Sequence, residues 1–488
     1  MTKKRSAGMK LLSVILGALM CGFMWRCRGS TGWGTSWGLY GVGLVLMLLI
    51  FHFYSDRKNM KFEMIPLGSV LMGLGVTGYA TVIDQTGGVL WSDLPYSGEL
   101  LNGQSPVLAT PDGDVYVPIE PVSGMIIFFI MAFTLVPLVA FFVTSLFSDK
   151  KYEFKDYVIL SVIFFAASLV FKATAAHPIL KAINPEQVQY AALGLKAYGH
   201  DYASPMAAYM SHFQNRRWTQ EIPFFENYYM SIEHISDAFA IFVTTAYIRF
   251  VRKDKYTAFG SLLIDLLTAV ASTVFSPLVS AFYHAGFFKD TAFPTWFIKI
   301  ADWGVWEFST GFFFGLFVML FLAITAGRHT NRTDYDDAPL FVNKKVSFGF
   351  NLLASVWVFC VAPARMIGFR LAGLLEYLEV LPDDDPFDVI FSIVIAVVLI
   401  PFIIKILRRN ILEKGTNAVD MLPATFARKA LPIYLVVCFF AYFFLDNMDI
   451  LSLRTDITVP MMLITSALIA ILYIPVRQKL KHSCRVYL

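Results

Sequence analysis

The chain has 488 residues, of which 57% are hydrophobic and 16% charged, and its formal net charge is +4. Soluble proteins carry about 25% charged residues, so this composition excludes an ordinary soluble protein. The basic residues behind this small positive net charge lie in short segments between apolar runs. Membrane proteins show this distribution in their cytoplasmic loops, so the net charge does not indicate nucleic acid binding. The five cysteines contain no Cys-x-x-Cys pair and indicate neither a disulfide framework nor a zinc site.

Apolar runs of about 20 residues recur along the whole chain with short polar breaks, as in proteins with transmembrane helices. The first run continues through Trp25, so we predict a span there rather than a cleaved signal peptide. The predicted fold is an all-α integral membrane protein, a polytopic bundle of about twelve transmembrane helices forming one membrane domain, 1–488. The predicted spans are 9–26, 35–54, 64–83, 123–147, 156–176, 229–250, 258–285, 304–327, 346–370, 387–406, 430–446 and 457–476.

The distribution of basic residues predicts an orientation. Of the 40 Lys and Arg residues, 28 fall in alternate segments that include both ends of the chain, which places both termini in the cytoplasm of a plasma (inner) membrane protein. The stretch 85–122 has five acidic residues and no basic ones, so we predict an external acidic loop. Trp33-Gly34 and Trp303-Gly304 open spans 2 and 8, which suggests a repeat of six plus six spans with halves 1–252 and 253–488.

The longest external stretch, 177–228, is predicted to be a small helical cap. Asn184-Pro185 and Ser204-Pro205 each place an N-cap residue before a first-turn proline. We therefore expect helices over about 185–198, ending at Gly199, and over 205–217. Their apolar faces indicate packing on the membrane surface or on the bundle, and they consist of Val188, Ala191 and Leu195 in the first helix and Met206, Tyr209, Met210 and Phe213 in the second.

Four arginines are predicted to lie in the outer half of the bundle and to form an anion-binding site. Arg26 and Arg28 enter a Gly-rich hairpin after span 1, and Arg365 and Arg370 lie in span 9. Guanidinium groups bind phosphate or carboxylate in a bidentate manner. The alternative is that they reach lipid phosphates or pair with structural carboxylates. Joint use of Arg26 and Arg28 requires the helix to end there, because residues two apart on a helix lie on different faces.

Span 6 holds the densest group of titratable residues, Glu233, His234 and Asp237. Glu233 and Asp237 are four residues apart and therefore share a helical face. Such a group is able to relay protons, to bind a cation or to act as a catalytic acid and base. No pattern of metal-ligand spacing joins it, so no metal site is predicted. The alternative is simple charge neutralisation by the basic residues Lys172, Arg216 and Arg217.

Two single acidic residues lie in apolar surroundings. Asp265 in span 7 follows the basic loop ending at Lys255 by ten residues, so we expect it near the inner surface, holding an arginine. Glu307, at the start of span 8, is placed in the outer half and is a further catalytic candidate. Nucleotide-binding and hydrolase motifs are not found in the sequence, and no cofactor is predicted.

These features predict a multi-pass transporter for an anionic small molecule or anionic lipid, with proton coupling as one mechanism. In gross topology the chain resembles a major-facilitator transporter, but residues 54–59 lack the glycines of that family's motif and the long middle cytoplasmic loop is missing. The alternative is a membrane-embedded transferase or hydrolase that acts on a lipid-linked phosphorylated substrate at the outer face, so enzymatic activity stays open. Expected partners are membrane lipids and an anionic substrate or headgroup.

Overall fold

The computed structural model describes residues 7–30, 36–54, 64–75, 107–110, 113–116, 121–212, 222, 225–284 and 303–325, with isolated positions between 349 and 404. Spans predicted beyond residue 327 lie largely outside this description. The chain divides into two compact units. Unit 1 comprises residues 1–77, 138–154 and 307–488, and unit 2 comprises residues 78–137 and 155–306.

The described secondary structure is helical apart from one short hairpin. Its elements in chain order are α1 (Ala7–Ser30), α2 (Ser36–Tyr54), α3 (Met64–Gly75), β1 (Val107–Thr110), β2 (Gly113–Tyr116), α4 (Pro121–Phe133), α5 (Pro137–Phe147), α6 (Phe154–Thr174), α7 (Ala176–Ile183), α8 (Pro185–Ala197), α9 (Pro205–Ser211), α10 (Phe225–Ala246), a π-helical turn (Tyr247–Val251), α11 (Lys255–His284) and α12 (Trp303–Thr325).

Three of the described helical segments are long and apolar enough to cross a membrane: Lys155–Thr174, Lys255–Phe275 and Phe308–Thr325. They number four if α4 and α5 are counted as one broken span, and α1 and α2 contain shorter apolar stretches. The helix α10 is not among them, because its carboxylates and imidazole lower its mean hydropathy. These helices support a membrane protein, while the count of about twelve spans and the six-plus-six repeat stay predictions.

The predicted span 123–147 is divided into two apolar helices rather than forming one continuous helix. The helix α4 ends at Phe133 and α5 begins at Pro137. The N–H of Thr134 closes the last turn of α4 on the carbonyls of Ile130 (3.3 Å) and Met131 (3.0 Å). Proline lacks an N–H and clashes with the preceding turn, so Pro137 is tolerated in a first turn but interrupts a helix interior.

In unit 1, α1 and α12 approach each other through small residues. A Cβ added to Gly315 would overlap the backbone carbonyl of Gly17, and one added to Gly311 would overlap the carbonyl of Cys21. Gly311 and Gly315 form a Gly-x-x-x-Gly pair, the spacing at which membrane helices bring their backbones into contact. The backbones of these two helices are therefore packed without room for a methyl group.

The core of unit 2 is formed by α4, α10 and α11. Its buried residues are Ala132 and Phe133 from α4, Ile241 from α10 and Ala269 from α11, and Phe164 of α6 packs against this group. The small side chains of two of these four residues allow the helices to approach closely. This packing fixes the positions of the polar side chains described below.

The predicted external acidic loop, 85–122, contains a hairpin that was not predicted from the sequence. The strands β1 and β2 are antiparallel, with Val107 opposite Tyr116 and Thr110 opposite Gly113. The intervening Pro111-Asp112 and the following Gly113 form a recognised turn sequence. The all-α prediction is confirmed for the rest of the described residues.

The cap helices begin where the sequence predicted. The side chains of Asn184 and Ser204 each accept the backbone N–H three residues on, at 3.0 and 3.1 Å, and the following prolines begin α8 and α9. Gly199 follows α8 with φ +76°, a conformation that favours glycine. The second helix was predicted to reach residue 217; α9 comprises Pro205–Ser211, and residues 213–217 lie outside the described part of the chain.

Candidate functional site

The helix α6 exposes mainly apolar side chains and buries Ser168 and Lys172. Val162, Phe165 and Val170 are 61–68% exposed, whereas Ser168 and Lys172 are 3% and 8% exposed. Only 17% of its spanning segment is buried, against 50% for the segments in α11 and α12. An apolar outer face suits lipid better than water, and a membrane helix is expected to turn its few polar groups inward.

Lys172 forms an ion pair with Glu233 of α10. The ammonium group donates to one carboxylate oxygen, and the buried hydroxyl of Tyr209 in α9 donates to the other. Burial, and then the nearby Glu233 carboxylate, raises the pKa of Tyr209 well above its ordinary value, so this phenol stays a neutral donor. One interpretation of span 6 was that a basic residue simply neutralises a carboxylate. The contact between Lys172 and Glu233 agrees with that interpretation.

Asp237 lies one turn further along α10 and is bound by a different group. The hydroxyl of Ser168 donates to its carboxylate at 2.6 Å. The two contacts, Lys172 with Glu233 and Ser168 with Asp237, join antiparallel helices at successive turns. We call these four residues the α6–α10 cluster. It contains two carboxylates and one ammonium, so a single negative charge is left over when both carboxylates are ionised.

His234 faces a different neighbour from the carboxylates beside it in sequence. Its Nδ1 lies 2.6 Å from the hydroxyl of Thr134, just after α4. That hydroxyl also donates to the Met131 carbonyl at 2.9 Å. A hydroxyl has one proton to donate, so this arrangement favours Nδ1–H as the donor to Thr134. The three titratable residues predicted as one group are thus divided between α6 and α4.

The cap residues bind the first turns of α10 through several polar contacts. Gln187 of α8 and Ser231 exchange hydrogen bonds at 3.0 and 3.2 Å. His177 Nδ1 lies 2.7 Å from the hydroxyl of Tyr228, and Tyr209 reaches Glu233. Because Tyr209 contacts the α6–α10 cluster directly, the cap forms part of the site.

At the other end of α6, Asp156 binds Arg252 in a bidentate ion pair. The N···O distances are 3.0 and 3.3 Å, and the side chain of Asp156 is 7% exposed. This pair brings the start of α6 and the end of the π-helical turn to one end of unit 2. Both lie in basic segments that the charge pattern assigned to one side of the membrane.

Asp265 of α11 is fully buried. Among the described residues neither of its carboxylate oxygens has a hydrogen-bond partner. The arginine expected beside it is therefore not found in the described part of the chain. Asp265 lies on the same helical face as Ser261 and Thr268, which are also buried.

The predicted anion site lies outside the described residues, because Arg365 and Arg370 and the side chains of Arg26 and Arg28 are not described. The same holds for the basic candidates Arg216 and Arg217 and for the side chain of Glu307. The backbone of α1 stays helical to Ser30, so the helix end required for joint use of Arg26 and Arg28 does not occur between them. A shared site that combines Arg26 or Arg28 with Arg365 and Arg370 stays a prediction.

Three groups that complete the site were not predicted from the sequence. Ser168 and Thr134 were assigned no role, and Tyr209 was predicted only to lie on an apolar face. Ser168 and Lys172 are four residues apart in a largely apolar helix, which was the available signal for a polar face. Thr134 and Tyr209 gave no local signal, because their partners are distant in sequence.

The candidate site thus consists of the α6–α10 cluster, Tyr209 of the cap and the His234–Thr134 pair, all in unit 2. Comparisons with protein-family models, with curated protein sequences and with solved structures found no match for the chain.

Proposed function

We propose that this protein is a multi-pass transporter of the plasma membrane that moves an anionic small molecule or anionic lipid and is coupled to protons. The observation that carries the proposal is the charge balance of the α6–α10 cluster. Lys172 supplies one positive charge to Glu233 and Asp237, which together carry two negative charges when ionised. A bound proton balances the remaining charge in surroundings where a net charge is costly.

The coupling step follows from the spacing of the two carboxylates. Glu233 and Asp237 are one helical turn apart, so their Cβ atoms are about 5–6 Å apart. When a proton neutralises Glu233, the ammonium of Lys172 gains by moving toward Asp237, whose present donor is the Ser168 hydroxyl. Such an exchange shifts α6 relative to α10 by up to about one turn. Protonation is thereby linked to helix movement, which proton-coupled transport requires.

The proposed substrate class rests on the outer arginines Arg26, Arg28, Arg365 and Arg370, whose sequence positions predict an anion site. Membrane lipids and the anionic substrate are the proposed partners. The predicted cytoplasmic location of both termini belongs to the same proposal.

The experiment is uptake into proteoliposomes driven by a pH gradient. Three probes cover the substrate class: radiolabelled inorganic phosphate, radiolabelled succinate and fluorescent phosphatidylglycerol. We expect a pH gradient to drive accumulation of at least one probe, and Glu233→Gln to abolish accumulation while retaining exchange across the membrane. Asp201→Asn, a change at an exposed residue of the cap, is the matched control and should transport normally. Accumulation that does not depend on the gradient, or that survives Glu233→Gln, contradicts the proposal.

A second candidate function, a membrane-embedded transferase or hydrolase, is favoured by one contact. Tyr209 of the cap binds Glu233, so a carboxylate lies directly beneath a structure that could enclose a lipid headgroup. The test is release of phosphate from a polyprenyl diphosphate in mixed micelles. Phosphate release that requires Glu233, together with no gradient-driven uptake of the three probes, would favour this enzymatic function over transport.

A further inference from the structure

The most unusual buried group outside the α6–α10 cluster is the carboxylate of Asp265. Asp265 is 0% exposed, and among the described residues neither of its carboxylate oxygens receives a hydrogen bond. The opposite face of α11 is apolar and exposed, with Phe259 at 66% and Val274 at 55%. The acid therefore points into unit 2 rather than to the surroundings. An ionised carboxylate is costly to bury unless a proton or a cation compensates its charge.

Two hydroxyl groups lie within reach of Asp265 on the same face of α11. Ser261 is four residues before it and Thr268 three residues after it, so their Cβ atoms are about 5–6 Å from that of Asp265. Both residues are buried, at 4% and 0% exposure. The Ser261 hydroxyl donates to the Thr257 carbonyl at 2.9 Å, which leaves its oxygen lone pairs free to bind a cation. The Thr268 hydroxyl has no hydrogen-bond partner among the described residues.

We propose that Ser261, Asp265 and Thr268 form a binding site for one monovalent cation, Na⁺. Hard cations are bound by carboxylate and hydroxyl oxygens. The single carboxylate supplies one negative charge, which one monovalent cation neutralises, whereas a divalent ion would leave a buried positive charge. Neighbouring Leu262 and Ala269 pack against the core formed by α4 and α10, which excludes bulk water from this face of the helix.

This proposal is independent of proton-coupled transport, because cation binding at α11 requires neither a substrate nor the α6–α10 cluster. The experiment uses the full chain, purified in nanodiscs and kept in choline chloride. Binding of ²²Na⁺ is measured by scintillation proximity, and thermal unfolding is followed while NaCl replaces choline chloride at constant ionic strength. We expect saturable binding and a rise in Tm that follows the same Na⁺ concentration dependence.

Three variants locate the site. Asp265→Asn should abolish ²²Na⁺ binding, and Thr268→Val, which removes one oxygen ligand at nearly constant volume, should weaken it by about tenfold or more. Ser272→Ala is the matched control, because this hydroxyl is also fully buried on the same stripe but lies seven residues, or about 10 Å, along the helix from Asp265. It should bind Na⁺ like the unaltered protein.

Several results would overturn the site. One is ²²Na⁺ binding that does not exceed the background measured in choline chloride. Another is ²²Na⁺ binding that Thr268→Val leaves unchanged. A third is an equal loss of ²²Na⁺ binding in Thr268→Val and Ser272→Ala. If Asp265→Asn does not fold, the comparison of Thr268→Val with Ser272→Ala still decides. Competition by K⁺ at the same concentration as Na⁺ would show a monovalent site without the proposed preference and would contradict the assignment to Na⁺.

Discussion

Removing the ammonium of Lys172 should destabilise the protein more than removing the charge of its partner Glu233. The side chains of the pair are 9% and 18% exposed. Deleting one member of a fully buried ion pair costs about 3–5 kcal/mol, and an exposed pair contributes about 0–1 kcal/mol. At this intermediate exposure, Lys172→Met should cost about 2–3 kcal/mol, because it leaves Glu233 and Asp237 one turn apart without a cation.

Glu233→Gln should be milder, at about 1 kcal/mol. The amide oxygen still accepts from Tyr209, and Lys172 keeps the Asp237 carboxylate as an anion one turn away. The double variant should then cost less than the sum of the two single changes, since the uncompensated carboxylate produced by Lys172→Met is removed. We expect a coupling free energy of about 1–2 kcal/mol from the complete cycle.

The assay is equilibrium unfolding of the four proteins in mixed micelles with increasing SDS, followed by tryptophan fluorescence and far-UV circular dichroism. The control is the same cycle at Lys151 and Glu153, whose side chains are 46% and 39% exposed with an N···O distance of 3.5 Å. That cycle should give a coupling of about 0.5 kcal/mol or less. Additive effects at Lys172 and Glu233, or a larger cost for Glu233→Gln than for Lys172→Met, would refute the reasoning.

Three further predictions concern backbone conformation, helix packing and pH. Because Gly199 and Lys253 both have positive φ, at 76° and 57°, Gly199→Ala should destabilise and Lys253→Gly stabilise the protein by about 1 kcal/mol each in thermal unfolding. Gly315→Ala should lower Tm strongly, because a methyl group there meets the backbone of the facing helix, whereas Gly8→Ala, with open space around it, should not. Burial lowers the pKa of His177 below its ordinary value of 6.5, so the unfolded chain binds a proton more readily and stability falls as pH drops below about 6.5. His177→Gln should flatten that acid limb in a Tm-versus-pH profile, and an unchanged limb would contradict this assignment.

The parts of the fold that the sequence predicted are those determined by local contacts. Asn184-Pro185 and Ser204-Pro205 begin helices because the N-cap side chain binds an N–H only three residues away. The break at Pro137 was present in the sequence in the same local sense, but the hydropathy of 123–147 outweighed it. Hydropathy measures average transfer free energy and does not detect a missing backbone hydrogen bond.

Contacts between distant residues were not predictable in the same way. From the sequence, Lys172 was one of three possible basic partners for Glu233 and Asp237. Which of the three binds depends on how α6 packs against α10, and Lys172 and Glu233 are 61 residues apart in the chain. The same holds for Thr134 and His234, which are separated by 100 residues. The rotation of each helix about its axis selects these partners, and that rotation is set by the whole core of unit 2.

The ion pair also separates the structural and functional interpretations of the two carboxylates. Charge neutralisation explains Glu233, which has a cation on one oxygen and a phenol on the other. It does not explain Asp237, whose donor in the cluster is the neutral Ser168 hydroxyl at 2.6 Å. Asparagine keeps the shape of the aspartate side chain and an oxygen that accepts from the Ser168 hydroxyl, so Asp237→Asn removes the charge while retaining this hydrogen bond. Asp237→Asn therefore distinguishes the two interpretations: stable protein without proton coupling supports a functional carboxylate, and stable protein with full coupling supports a structural one.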